Sequence, residues 1–292
     1  GSGRADIASN LLKFKTLDKR SSSYFFTKIS AKKAFEGLSF QYHEQHWDYE
    51  TGYGWLFYIP DRPESMKEYR RLISLKYSPR NENRVFNYEV STRFQDHGID
   101  WNMRFFPNDS YGGYFPYGVS EYLKTHAQDL FMRIQGDLKI KDHKILFGVE
   151  EDMFFYNGDK AHYANYDMNT WADPDLTNSI FNLNPWLEYI KNKPVNNIGA
   201  FVQYISPKVF NKIQLTVSAR YDKQFFDYVD IAQALKPTVS KSFELFTPRV
   251  SLVYSPTDKI TIKAIAGKAF KTPSPTEMFG SNTYTLASNI KE

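Results

Sequence analysis

The 292-residue chain has no cysteine and only six histidines. Without cysteine there is no disulfide framework, thiol nucleophile or thiolate metal site. Charge of one sign is scarce too: 37 Lys and Arg face 33 Asp and Glu, a net charge of +4. With no basic block, nothing invites nucleic acid as a partner. No apolar run reaches the ~18 residues of a membrane-spanning helix. A glycine-rich phosphate loop, a G-x-S-x-G elbow and a zinc signature are all missing, so no cofactor, metal or enzyme activity is expected. What is plentiful is aromatic: 5 Trp, 21 Tyr and 24 Phe make 17% of a chain whose mean hydropathy is only −0.55. A globular core does not need so many rings. Either a ligand surface or an unusual solvent is implied.

Periodicity assigns the backbone. Lys212–Asp222 alternates strictly, with Ile213, Leu215, Val217, Ala219 and Tyr221 on one face and Gln214, Thr216, Ser218, Arg220 and Asp222 on the other. Period two is a strand with one apolar and one polar face. Val85–Phe94, Leu38–Gln45, Leu130–Leu138 and Ile260–Lys268 repeat the pattern. About ten strands are expected, near 22–30, 38–48, 66–77, 85–95, 125–138, 144–156, 197–206, 212–222, 246–255 and 259–269. Most run about 9–13 residues, beyond the 5–6 usual in soluble sheets and close to the need of a tilted bilayer-crossing strand. Only Thr177–Ile190 has room for a short helix, inside a loop.

Connections alternate in kind. Ala31–Gly37, Ser78–Arg84, Lys139–His143, Ser206–Asn211 and Ser255–Asp258 are short and polar, three of them opening Ser-Pro. The stretches near Tyr49–Ser65, Asp96–Lys124, Asn157–Asn196 and Lys223–Leu245 are long and aromatic. Short turns at one end and long loops at the other describe an antiparallel up-and-down transmembrane β-barrel, with periplasmic turns and extracellular loops. Such a wall resolves the composition, because its apolar face meets lipid. Tyr24, Tyr42, Tyr69, Tyr77, Tyr156, Tyr221 and Tyr254 fall near strand ends and fit interfacial girdles. The alternative is a soluble β-rich carbohydrate-binding or carbohydrate-active protein, with loop aromatics stacking on sugar and Glu150 and Asp152 as its carboxylates.

The last third is more specific. Phe246–Phe279 reads FTPRVSLVYSPTDKITIKAIAGKAFKTPSPTEMF, in which Pro248, Arg249, Leu252, Tyr254, Pro256, Gly267, Ala269, Phe270, Pro273, Ser274, Glu277 and Phe279 carry a pattern. It resembles the barrel segment of TonB-dependent outer-membrane receptors, with Lys271 where Arg is usual and Met278 where Leu is usual. Ser288–Glu292 looks like a degraded form of the box that follows, and Ile198–Asp222 resembles the preceding hairpin. The family's barrel has 22 strands. The resemblance therefore implies that 1–292 is a partial barrel domain from the middle of a longer receptor, without the plug domain and the C-terminal strands. It also implies residence in a bacterial outer membrane among its lipids. The expected role is active uptake of a scarce solute, a ferric siderophore or similar small-molecule metal chelate, driven by the TonB complex through the absent plug.

Candidate ligand contacts are loop aromatics and polar-face cations. The aromatics are Tyr53, Trp55, Tyr58, Trp101, Tyr114 and Trp171, and the cations are Arg133 and Arg220. The rings offer stacking surface and the guanidiniums attract an anionic chelate. The blander role for those cations, pairing with acids of the lumen face, leads over chelate attraction. His43 and His46 lie three apart, on opposite faces of one strand, and cannot share a metal.

Overall fold

The computed structural model describes residues 19–50, 65–79, 84–106, 112–113, 119–164, 179–181, 190, 192–229, 235 and 237–271. They form one antiparallel sheet. Its strands are β1 (Arg20–Ser30), β2 (Leu38–Glu50), β3 (Ser65–Tyr77), β4 (Phe86–Phe106), β5 (Val119–Ile140), β6 (His143–Ala164), β7 (Ser179–Phe181), β8 (Pro194–Ile205), β9 (Ile213–Val229), β10 (Thr238–Thr257) and β11 (Ile260–Gly267). Ten of them pair in chain order, and the short β7 pairs with β6 off that path. Among the described residues there is no α-helix; 3₁₀ geometry occurs at Lys33–Phe35 and at Ile190. Where Thr177–Ile190 had room for a helix, the described parts are the strand β7 and a 3₁₀ residue at Ile190.

Five strands are far longer than expected. β4, β5, β6, β9 and β10 hold 21, 22, 22, 17 and 20 residues. They run on into stretches expected as loops, and Asp96↔Gln128 and Asp100↔Lys124 pair in register well past the outward-facing apolar run that ends at Phe94. The reason is physical. Alternation is visible only where the two faces differ, whereas the ladder needs only backbone N–H and C=O groups. Above Phe94 the outward parity turns polar at Asp96, Asp100 and Asn102 while Ile99 and Trp101 take the inward one, so the apolar alternation changes face while the strand continues.

Register places every side chain on one of two walls. One wall carries Ile213, Leu215, Val217, Ala219 and Tyr221 of β9, opposite Tyr254, Leu252, Val250, Pro248 and Phe246 of β10. The other carries Thr216, Ser218, Arg220, Asp222 and Gln224. The apolar wall is the exposed one: Leu215, Val217 and Tyr221 show 36%, 44% and 42% of their surface, whereas Asp222 and Gln224 show 4% and 8%. The polar wall is therefore the inner one.

The same ladder fixes the stagger of the strands. Leu38, the first residue of β2, connects through Tyr77, Val90, Ile134, Val149 and Ala200 to Tyr221. β9 begins eight residues below that point, at Ile213, six strand spacings away. For the short turns to lie level, about 27 Å along the strand must offset about 29 Å across it, a tilt of about 40°. That is the stagger of a sheet closing into a membrane barrel. At the first turn Gly37 (φ 95°) is obligatory, because a Cβ there would sit 2.5 Å from the Ser78 carbonyl oxygen.

Candidate functional site

The inner wall concentrates the charges. Arg133 (β5) faces Glu150 (β6), Glu150 faces Gly199 (β8), and Gly199 faces Asp222 (β9). Arg133 donates from Nε and Nη2 to Glu150 Oε2 at 2.9 and 2.7 Å. Arg220 of β9 donates through Nη2 to Glu150 Oε1 and through Nε to Asp222 Oδ2 at 2.8 Å. Its guanidinium thus crosses β8 to reach β6. Gly199 makes the crossing possible: a Cβ there would lie 2.6 Å from Arg220 Nη2 and 3.0 Å from Asp222 Oδ1. An isolated glycine inside a strand signals such a close approach. That signal was available in Asn197-Ile-Gly199, and sequence reasoning missed it.

Beside this clasp, Arg93 Nη2 donates to Asp129 Oδ1 at 3.3 Å. Arg93 and Arg133 flank the Phe131 ring, each 5.2 Å from its centroid. Asp152 lies on the same wall, opposite Phe131 and Asn197. Further up, His97 Nε2 meets Glu68 Oε1 at 2.7 Å and Arg70 Nη2 donates to Gln95 Oε1 at 3.1 Å. Toward the long-loop end the wall turns apolar. Tyr156, Ile190, Val195, Phe226 and Tyr228 form a buried cluster, with Ala127, Phe154, Val239 and Phe243 packed against it.

This arrangement suits a binding surface better than a catalytic one. Each oxygen of Glu150 accepts from a guanidinium, which leaves neither free to deliver a proton to a glycosidic oxygen. No group of three or more His, Cys, Asp or Glu able to hold a metal occurs among the described residues. Alternating fixed charges instead present paired donors and acceptors to whatever fills the lumen.

An apolar outer wall, tilted strands and a charged inner wall are now established, and comparison gives them a family. The family model described as "TonB dependent receptor-like, beta-barrel" matches residues 13–291. The chain belongs to the TonB-dependent receptors. It is outer-membrane barrel wall, with its short turns on the periplasmic side. No curated protein matches it. Among 25 matching solved chains is the copper transporter OprC, at 18% identity and a TM-score of 0.62. That match covers 92% of this chain and 41% of OprC. The likeness is one of fold, and this receptor chain spans under half the length of that neighbour.

The expected site residues fall unevenly on the receptor wall. Arg133 and Arg220 come together on Glu150. Trp101 belongs to β4 rather than a loop, on the inner wall opposite Met66. Tyr53, Trp55, Tyr58, Tyr114 and Trp171 lie outside the described residues, as do Pro273, Glu277 and Phe279. Of the family motif, Arg249 points inward beside Gly267, whose missing Cβ gives room to the arginine stem. Pro248 and Tyr254 face outward, and Phe270 follows the end of β11. Two expected girdle residues face the other way. Tyr24 pairs opposite Gln45 on the inner wall, and Tyr156 is buried in the inner apolar cluster. Nearness to a strand end does not fix a wall; parity does. His43 and His46 do take opposite walls, His43 against Tyr24 and His46 on Glu44.

Proposed function

We propose that this wall belongs to a receptor that takes up a scarce solute across the outer membrane, a ferric siderophore or related metal chelate. The uptake would be driven by TonB acting on a plug domain that lies outside this chain. Among the described residues β1 and β11 each pair on one side only, which fits a partial barrel completed by further strands. The outer-wall apolar band would meet membrane lipid.

One observation carries the reading: an inner wall of paired charges ends at its mouth in an apolar cluster. A chelate combines both characters, an anionic or polar centre and an organic periphery. Arg133, Arg220 and Trp101 are the described residues assigned to the solute path, and the loop rings Tyr53, Trp55, Tyr58, Tyr114 and Trp171 to capture.

The test is growth of a strain lacking the full receptor, complemented by wild type or by the Arg133→Ala/Arg220→Ala variant. Single iron sources, haem, cobalamin and limiting copper are supplied in turn. Restoration of growth on a siderophore by wild type, weakened in the variant, supports the reading. Restoration only on copper, the solute in the neighbour's name, would redirect it. Recovery of the full receptor as a water-soluble monomer would sink it.

A further inference from the structure

The five short-turn segments hold the chain's whole imbalance of charge. Between the strands, residues 31–37, 78–85, 141–142, 206–212 and 258–259 carry eight Lys and Arg against four Asp and Glu, a net +4. The whole chain is also +4, so everything else sums to zero. Lys32, Lys33, Arg84, Lys139, Lys141, Lys208, Lys212 and Lys259 are all exposed, with Glu36, Asp142 and Asp258 the only acids described beside them. None of these lysines forms an ion pair among the described residues. The contrast with the inner wall is sharp, since there Arg93, Arg133 and Arg220 are matched to acids.

Their placement follows the membrane edge. Lys212 precedes Ile213, Lys259 precedes Ile260, Lys139 follows Leu138, and Arg84 stands just before Val85 and Phe86. Each is thus at the lower limit of the lipid-facing band of its strand. At the tilt of about 35–45° usual for outer-membrane barrels, the observed register brings the turns about level across the sheet. Two of them also expose a ring: Phe35 shows 67% of its surface and Phe210 87%. Cations beside exposed rings, spread over five hairpins at one depth, match a planar anionic layer continuous with hydrocarbon. A peptide partner would need them gathered in one patch.

We propose that the short-turn rim is a collar for the anionic phospholipid headgroups of the periplasmic leaflet. The collar is independent of which solute the receptor carries.

The experiment uses the full-length receptor in a zwitterionic detergent, titrated with phosphatidylglycerol or phosphatidylcholine. Bound lipid is counted by native mass spectrometry. Phosphatidylglycerol is retained preferentially, and added salt weakens its retention. Replacing Lys32, Lys33, Lys141, Lys208, Lys212 and Lys259 together by Gln lowers that preference by roughly tenfold or more. Equal retention of the two lipids by wild type overturns the proposal. So does a preference that survives all six substitutions, or lipopolysaccharide displacing phosphatidylglycerol. Should the sixfold variant not fold, Lys32→Gln/Lys33→Gln and Lys208→Gln/Lys212→Gln each give a partial loss that adds when they are combined. Uptake assays are separate, so a wrong solute leaves this result standing.

Discussion

The two walls of the same strands obey opposite rules. On the outer wall of β9 and β10, apolar side chains are the exposed ones, and nothing among the described residues covers them. On the inner wall, polar side chains are the buried ones, held by partners on neighbouring strands. A water-soluble sheet would reverse both statements. The difference teaches that exposure must be read against its solvent. The outer wall is stabilised by lipid outside the molecule. The inner wall is stabilised from within, by ion pairs that bind strand to strand.

Charge placement should break this comparison most severely. In the full receptor refolded into liposomes, Val217→Arg puts a cation in the middle of the lipid-facing band. It should cost about 2–4 kcal/mol in denaturant unfolding, while Thr216→Arg, one residue away on the inner wall, should cost less than about 1. Equal costs would show that the walls are misassigned. Next in size is Glu150→Ala, which leaves Arg133 and Arg220 facing one another. A loss of about 2 kcal/mol is expected, smaller than in a dry interior because water screens the lumen. Gly199→Ala should cost about 1 kcal/mol by pushing Arg220 off Glu150, and that cost should vanish in an Arg220→Ala background. An unchanged cost there would separate the glycine from the clasp. Smallest is the exposed outer-wall pair of Lys223 with Glu244, 2.7 Å apart. Replacing both by Gln should leave unfolding unchanged at physiological salt.

Much of this architecture was legible in the sequence, for reasons specific to particular segments. Lys212–Asp222 declared its walls because every second residue is apolar, and the structure keeps that parity from Ile213 to Tyr221. The motif from Pro248 to Phe270 carried the family. The upper half of β4 was missed because its apolar parity changes face after Phe94, from Phe94 outward to Ile99 and Trp101 inward, which breaks the period that marks the lower half. Tyr156 was misplaced because strand-end position was weighed instead of parity with Glu150 and Asp152, which share its wall. The clasp itself depends on Glu150, Gly199 and Asp222 falling in one row across three strands. Register of that kind is fixed by whole-strand pairing and by turn geometry, and no local window contains it.

That row has a consequence for assembly. A hairpin that slips by one residue exchanges its walls, and the lipid-facing pattern rejects it at once. A slip by two residues keeps every apolar side chain on its wall and passes unnoticed. Yet after such a slip Arg220 no longer meets a bare glycine on its way to Glu150. β8 offers Asn197 or Phe201 in its place. One side chain spanning two interfaces therefore proofreads the even-numbered errors to which hydrophobicity is blind.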